Sequence, residues 1–357
     1  MSIFIIAEAG VNHNGSSDLA LQLVDAASKA GADAIKFQTF RARNIATRKA
    51  GLADYQKTTN SIEDGQYAML ERLELDAHSH KKIFEHCKDR KIEFLSTPFD
   101  IESVKLLIEK IGVTRLKIPS GEITNAPLLL ECSRSGLPII MSTGMALLSE
   151  IESALGILAF GYINKNQDPW TDSFKNAYIS SEGQGLLKEK VTLLHCTTEY
   201  PAPFDQVNLR VMETLRRAFG LKVGYSDHTS NITAALAAAA LGAEIIEKHF
   251  TIDKDLPGPD HKASLTPDEL KAMIEGIKQV EMIMGNSEKI PVRSEIKNIP
   301  IARKSLVASV DIKKGEIFTE KNITAKRPGT GVSPMLYWDI LGKKAHRDYE
   351  IDEFITI

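Results

Sequence analysis

Short runs of β-branched and apolar residues alternate with amphipathic helical stretches along most of the chain. Each run ends in polar residues. Helical periodicity follows, for example over residues 18–30 and 101–111, and several of these stretches end at a glycine. The eight strand-like runs cover residues 4–7, 34–37, 93–96, 115–118, 138–141, 191–195, 223–225 and 245–248. This order predicts a (β/α)8 TIM barrel over residues 1–285.

A doubly wound parallel sheet is the alternative architecture. Its first strand-to-helix turn should carry a GxGxxG fingerprint, whereas residues 8–15 read EAGVNHNG. The barrel is therefore preferred. Residues 41–77 and 161–190 are long, polar connections, and we expect them to form lids over the catalytic face or dimer contacts.

A second, smaller domain follows the barrel. Residues 286–300 are charged, contain prolines and predict a linker. Strand-like pieces then resume at 306–310 and 316–318, separated by glycine-containing turns. Residues 301–357 are therefore predicted to form a small β-rich module.

The composition argues against several classes of protein. Lys and Arg number 44 against 47 Asp and Glu, so bulk charge does not predict a nucleic-acid surface. Three scattered cysteines predict neither a disulfide framework nor a zinc knuckle, which favours a reducing cytoplasm. The start lacks a basic signal-peptide region, and the apolar run at 232–246 is too short to span a membrane.

The catalytic face of a TIM barrel lies at the carboxyl ends of its strands. Lys36 and Lys117 end strands two and four, and hydroxyl residues such as Thr97, Ser142 and Ser226 end others. Ammonium and hydroxyl groups together suit an anion with several oxygens, such as a phosphate or a phosphocarboxylate. The alternative for each hydroxyl is an N-cap of the following helix.

Two histidines end neighbouring strands seven and eight. His228 lies in YSDHTS and His249 in IEKHFT, so that their imidazoles are expected to meet above the barrel mouth. With water and a substrate oxygen they would form an open divalent-metal site, which favours Mn²⁺ over structural Zn²⁺. The alternative is a pair of packed, satisfied histidines. His195 also ends a strand, but within LLHC it is interpreted as a packing residue.

Ten motifs in order make the chain resemble the sialic acid synthase family, in particular bacterial N-acetylneuraminate synthases. They are AEAGVNHNG, AIKFQTF, FLSTPFD, LKIPSGE, IMSTGM, HCTTEYPAP, VGYSDHT, EKHFT, PGPDHKAS and AKRPGTG followed by SPM. The resemblance covers essentially the whole chain, including a C-terminal module similar to the antifreeze-like SAF domain.

The resemblance implies condensation of phosphoenolpyruvate (PEP) with an N-acyl amino sugar, N-acetylmannosamine in the name-giving case. It also implies Mn²⁺ or Mg²⁺ and a domain-swapped homodimer. An alternative within the family is N,N'-diacetyllegionaminate synthase, which uses a 2,4-diacetamido-6-deoxy sugar. One PEP-binding position of the family is Asn in some members, and this sequence has Thr198 there.

The residues carried over from the family fall into four groups. The implied metal ligands are His228 and His249. PEP is expected at Lys36, Thr97, Lys117, Ser120, Ser142, Thr198 and Ser226, and the sugar at Gln38, Tyr200, Asp260 and the partner subunit's Arg327. Glu122 is the first candidate for proton handling and Glu8 the second.

Three other functions compete with the synthase. A metal-free aldolase would use Lys36 or Lys117 as a Schiff-base nucleophile. A sugar-phosphate sensor would use the barrel mouth without turnover. An ice-binding or assembly role would rest on the C-terminal module, but its basic Lys326-Arg327 turn argues against a flat, uncharged face.

Overall fold

The computed structural model describes residues 2–51 and 65–357. The chain divides into two compact units, Met1–Gly285 and Asn286–Ile357. Each unit has its own buried apolar cluster.

The first unit is built on an eight-stranded sheet in which every recorded ladder is parallel. Along the sheet the order is β3-β2-β1-β8-β7-β6-β5-β4, and β3 and β4 lie side by side, which brings its two edges together as a barrel. The predicted TIM barrel is confirmed. Its strands are β1 (Phe4–Gly10), β2 (Ala34–Thr39), β3 (Glu93–Pro98), β4 (Leu116–Ile118), β5 (Ile139–Ser142), β6 (Val191–His195), β7 (Lys222–Asp227) and β8 (Ile245–His249).

Helices surround the sheet. The first helix shows the local signals that begin and end a helix: Ser16 caps its start, and Gly31, at φ 91°, ends it in the left-handed conformation that glycine adopts without strain. The helices are α1 (Ser17–Ala30), α2 (Ala42–Ile45), α3 (Gln66–Leu73), α4 (Ala77–Arg90), α5 (Ile101–Lys105), α6 (Ala126–Arg134), α7 (Leu148–Ile163), α8 (Ser173–Ile179), α9 (Ser181–Lys190), α10 (Val211–Phe219), α11 (Thr233–Ala240) and α12 (Pro267–Met284). The helix expected over 101–111 continues beyond α5 as a π-helical turn, Leu106–Ile111.

Side chains of the strands alternate between the barrel interior and the helix layer. The lower interior is apolar and contains Ile6, Leu95, Ile140 and Leu194. The next inward positions towards the carboxyl ends carry polar and charged side chains. The barrel therefore has a hydrophobic floor under a polar mouth.

The expectation that residues 161–190 overhang the catalytic face is wrong. The helix that follows β5, α7, runs to Ile163, and α9 leads directly into β6 at Val191. The segment is thus a helix-to-strand connection, on the side of the barrel opposite the strand carboxyl ends. It packs as α8 and α9 against α7.

Residues 41–77 do follow a strand on the catalytic side, as predicted. They include α2 and α3, and part of the predicted loop, 52–64, lies outside the described residues. In the described part, Met69 and Leu73 pack with Val11 and Phe40 into a small apolar cluster.

The second unit contains two short helices, α13 (Arg293–Ile296) and α14 (Ile299–Ala302), in the region predicted as a linker and its end. An antiparallel pair follows, β9 (Ser305–Ala308) with β10 (Ile323–Lys326), and then α15 (Tyr337–Ile340). The prediction of a strand at 316–318 is wrong, because only an isolated bridge between Ile317 and Lys344 forms there.

Within 2–51 and 65–357, none of the helices combines the length and apolar character needed to cross a bilayer. The three cysteines are buried and free. A cytoplasmic location stays a prediction.

Candidate active site

A pocket of about 250 Å³ opens at the carboxyl ends of the barrel strands. Every strand, or the loop that follows it, supplies lining residues: Glu8, Lys36, Gln38, Thr97, Phe99, Lys117, Pro119, Ser120, Gly121, Ser142, Cys196, Thr198, Tyr200, Ser226, His228, Glu247, His249 and Asp260. A larger groove of about 1250 Å³ lies at α10 and α11. That groove is mostly apolar and contains none of these side chains, so the chemistry belongs to the first pocket.

Two buried lysines stand inside the pocket. Lys36 Nζ lies 2.6 Å from Glu8 Oε2 and donates to Thr97 Oγ1 at 3.1 Å. Lys117 Nζ donates to Ser142 Oγ at 2.7 Å. These contacts fix both ammonium groups at positions where solvent has little access.

Glu247 lies between the two lysines and was missed by the sequence analysis. Its Oε2 is 3.8 Å from Lys36 Nζ, and its Oε1 is 3.4 Å from Lys117 Nζ. Ser226 Oγ donates to Oε1 at 2.9 Å. The alternation of side chains along β8 could have identified Glu247. It stands two positions before His249 and therefore lies on the same face of the strand.

The two carboxyl groups beside the lysines, Glu8 and Glu247, differ in their affinity for a proton. Burial alone would raise the pKa of Glu247, but the ammonium groups of Lys117 and Lys36 outweigh it and lower the pKa to about 2. Burial raises the pKa of Glu8 to about 7, against the opposing charge of Lys36. At neutral pH Glu247 is ionised while Glu8 exchanges a proton. Burial lowers the pKa of Lys117, and the charge of Glu247 opposes that effect.

Small polar groups cluster around Gly144, beside this charged centre. Its N–H donates to Ser120 Oγ at 3.0 Å, and Ser120 Oγ lies 3.1 Å from Cys196 Sγ. Thr198 Oγ1 is buried without a hydrogen-bond partner among the described residues. A methyl group on Gly144 would overlap Thr198 Oγ1 and stand 2.8 Å from Ser120 Oγ, so glycine leaves room for these donors to face an oxyanion.

The two predicted histidines meet, as expected, with ring centroids 5.5 Å apart. His228 Nδ1 lies 2.6 Å from the carbonyl oxygen of Thr197, which holds the Nδ1–H tautomer and leaves a lone pair on Nε2. Tyr200 packs on the His228 ring at 4.2 Å, and its hydroxyl lies 3.2 Å from Nε2. Burial lowers the pKa of His228 to about 4 and also lowers that of His249, so both imidazoles are neutral.

The donor set fits an open divalent-metal site. His249 Nδ1 is buried and has no hydrogen-bond partner in the described part of the chain, and neutral imidazole is the form that ligates metal. No group of three His, Cys, Asp or Glu among residues 2–51 and 65–357 is arranged to hold a metal ion. A closed structural site is therefore absent from that part, and two imidazoles would leave the other positions to water and substrate.

Three polar side chains converge around Gly10, on the other side of the pocket. Glu8 Oε1, Gln38 Nε2 and Asp260 Oδ2 all lie within 3.7 Å of the point where a Cβ on Gly10 would stand. Burial raises the pKa of Asp260 to about 6. Its carbonyl oxygen accepts from Ser264 Oγ at 2.7 Å, which fixes the loop that carries it.

The structure brings together all but two of the predicted site residues. Glu122 is not among the lining residues: it ends a 3-10 turn, Ser120–Glu122, and its carboxylate accepts from Asn125 Nδ2 at 2.6 Å. The role of Glu122 in proton handling therefore stays a prediction. Arg327 belongs to the second unit, where its Nε donates to Ala302 O at 3.0 Å, and its contact with a sugar stays a prediction.

Comparison with known proteins identifies the class. The model of the NeuB family matches residues 23–289, and that of the SAF domain matches residues 303–357. The chain belongs to the NeuB family and carries a C-terminal SAF domain, which confirms the resemblance. It is an enzyme of the class that forms nonulosonic acids by a PEP-dependent condensation.

Two curated relatives and one solved structure extend over most of the chain. N,N'-diacetyllegionaminic acid synthase from Campylobacter jejuni is 52% identical over 351 residues, 98% of each chain. The protein of the same name from Legionella pneumophila is 43% identical over 344 residues, 96% of this chain and 90% of that one. The N-acetylneuraminic acid (sialic acid) synthetase of Leptospira borgpetersenii superposes with a TM-score of 0.66 at 33% identity, covering 84% and 90% of the two chains.

Proposed function

We propose that this chain is an N,N'-diacetyllegionaminate synthase, which condenses PEP with a 2,4-diacetamido-6-deoxy sugar aldehyde. Two relatives at 52% and 43% identity bear that name. They favour the alternative substrate over N-acetylmannosamine, which the sequence analysis placed first. Family membership alone supports both, because relatives named for other nonulosonic acids also match, at 34% and 31% identity.

The observation that supports the PEP-dependent condensation is the pocket with two buried lysines around one ionised carboxylate. Lys36 and Lys117 bind the carboxylate and phosphate of PEP, with Ser120, Ser142 and Thr198 donating to the remaining oxygens. Glu247 keeps the ammonium groups apart and oriented before PEP arrives. Such preorganisation lowers the cost of aligning the two substrates.

The bonds change as follows. C3 of PEP attacks the aldehyde carbon of the open-chain sugar and forms the new C–C bond, while the aldehyde oxygen takes up a proton. Water adds at C2 of PEP and loses a proton, and the C2–O bond then breaks to release phosphate. Glu8, whose pKa lies at about 7, exchanges protons at this centre, and it replaces Glu122 as first candidate.

His228 and His249 would hold Mn²⁺ or Mg²⁺ in this proposal. The ion, when bound, supplies Lewis-acid polarisation of the aldehyde. The chain's own residues orient the ligands: Thr197 O fixes the His228 tautomer, and Tyr200 packs against both rings.

A Schiff base on Lys36 is disfavoured by its surroundings. Burial alone would lower the pKa of Lys36, but Glu247 and Glu8 outweigh it and raise the pKa, so the amine stays protonated. A protonated amine is not a nucleophile.

A direct test measures phosphate release from PEP with two sugars in parallel. The proposal expects kcat/KM for the 2,4-diacetamido-6-deoxy sugar to exceed that for N-acetylmannosamine by at least tenfold. A preference for N-acetylmannosamine would restore the first hypothesis. If neither sugar leads to phosphate release, both substrate assignments are refuted.

We also propose that Arg327 reaches the sugar in the partner subunit's barrel of a domain-swapped homodimer. A guanidinium offers fixed donors for an acyl carbonyl. Mixing Arg327→Ala subunits with His228→Ala subunits should restore partial activity, because one barrel of the heterodimer then has both its histidines and an intact arginine opposite. A verified heterodimer without activity would refute the exchange.

A further inference from the structure

A buried ion pair lies directly behind the two histidines. Asp227 and Lys248 are opposite each other on the last paired rung of β7 and β8. His228 and His249 are the next residues along each chain segment. Asp227 Oδ2 and Lys248 Nζ stand 3.0 Å apart, and both side chains are 0% exposed.

The ion pair does not line the pocket. Ser226 and Glu247, one position earlier, do line it, as do His228 and His249. Because side chains alternate along a strand, the pair at the intervening position lies on the other face of the sheet. It therefore acts on substrate only through other residues.

The ion pair binds both main-chain polar groups of Thr229, the residue that follows His228. The N–H of Thr229 donates to Asp227 Oδ1 at 2.8 Å, and Lys248 Nζ donates to the carbonyl oxygen of Thr229. Tyr225 OH adds a donor to Asp227 Oδ1 at 3.3 Å. The residue after His228 is thus tied to β7 by the carboxylate and to β8 by the ammonium.

The cost of burying this pair points to a geometric role. A buried ion pair is often no more stabilising than well-packed apolar side chains of the same volume, because both charges lose water. Here the two charges span the two strands that end in the proposed metal ligands. Outer residues that orient metal ligands change metal affinity by about 10- to 100-fold when they are replaced.

We infer that Asp227 and Lys248 are positioning residues, which set the separation and orientation of the His228 and His249 imidazoles. The inference rests on the proposed metal-dependent function. Loss of the pair displaces the two rings relative to each other, whereas the lysines that bind PEP keep their own partners.

The test is Mn²⁺ binding without substrates, measured from the electron paramagnetic resonance signal of free Mn²⁺. The variant is Asp227→Asn with Lys248→Met, which removes both charges and keeps similar volume. We expect the Mn²⁺ Kd to rise about 10- to 100-fold, kcat to fall at fixed Mn²⁺, and the PEP KM to stay within threefold. Glu93→Gln with Arg115→Met, an ion pair at 2.8 Å at the opposite end of the barrel strands, is the matched control and leaves the Kd unchanged.

An unchanged Mn²⁺ Kd in the folded double variant overturns the inference. If that variant does not fold, Lys248→Gln is measured instead, since its amide retains a donor but is too short to reach both partners. Its Kd should rise at least threefold, and a wild-type Kd would overturn the inference equally. If the wild-type protein binds no Mn²⁺ yet condenses PEP with the sugar in excess chelator, the proposed metal dependence is refuted. The positioning role of Asp227 and Lys248 is then refuted as well.

Discussion

Replacing Asp260 by Asn should stabilise the barrel in a manner that depends on pH. Asp260 is 8% exposed, and burial raises its pKa from 3.8 to about 6. Below pH 3.8 the carboxyl group is neutral in the folded and unfolded states, so it costs nothing. Between pH 3.8 and about 6 the carboxyl group loses its proton in the unfolded state but keeps it in the folded state, so the free energy of unfolding falls progressively. Above about pH 6 the folded state carries the buried charge, and the loss is complete.

The magnitude follows from the difference between the two pKa values. At 1.36 kcal/mol per pKa unit, the full penalty is about 3 kcal/mol, and linkage gives about half of it already at pH 5. Asn carries no charge at either pH. The free energy of unfolding of Asp260→Asn should therefore exceed that of the parent by about 1 to 2 kcal/mol more at pH 8 than at pH 5.

Urea unfolding in excess chelator measures this difference. The chain has two tryptophans, so a Trp338→Phe background leaves Trp170, which packs against Phe160 in the first unit, as the reporter of the barrel. Asp255→Asn, exposed in the same loop, is the matched control and should show no pH-dependent gain. An equal stability difference for Asp260→Asn at pH 5 and pH 8 would mean that burial does not raise the pKa of Asp260. The stabilised variant should also use the sugar poorly, because the carboxylate is a proposed sugar contact.

Three further outcomes are expected at the phosphate side of the pocket. Lys117→Met should raise the PEP KM by about 10- to 100-fold, the equivalent of a charge-assisted hydrogen bond of about 1.5 to 3 kcal/mol, and unchanged PEP kinetics would remove Lys117 from the site. Gly144→Ala should weaken PEP binding at least tenfold without loss of fold, as measured by calorimetry and circular dichroism, because its methyl group would occupy the space between the hydroxyl donors. A thiol reagent should modify Cys196, which lines the pocket, before Cys87 and Cys132, because burial raises the pKa values of those two thiols. Bound PEP should protect Cys196 from the reagent. Mass spectrometry that finds Cys87 modified first would contradict the prediction.

The barrel could be predicted because each strand is a short apolar run that ends in polar residues. The same alternation that builds a hydrophobic floor places Lys36, Thr97 and Ser226 inward at the mouth. Glu247 was overlooked because only the ends of the runs were considered. Glu247 stands two residues before His249, so the alternation of the strand places both side chains on the inward face.

Other features could not be read from local patterns. Glu122 follows Ser120 by two residues, but it ends a 3-10 turn, and its carboxylate accepts a hydrogen bond from Asn125. Residues 161–190 were interpreted as an active-face loop because the glycines within α9 obscure its helical pattern. The segment follows α7 and precedes β6, so it lies at the amino ends of the strands, where α8 and α9 pack against α7.

In the proposed reaction the barrel adds water to C2 of PEP and releases phosphate by breaking the C2–O bond. The decisive experiment is the condensation of PEP with the 2,4-diacetamido-6-deoxy sugar in water enriched in ¹⁸O. The bridging oxygen of PEP then leaves with the phosphorus, so mass spectrometry should find unlabelled phosphate formed in step with the nonulosonic acid. Phosphate that carries one ¹⁸O atom would mean attack of water at phosphorus, and the proposed chemistry of the pocket would be contradicted.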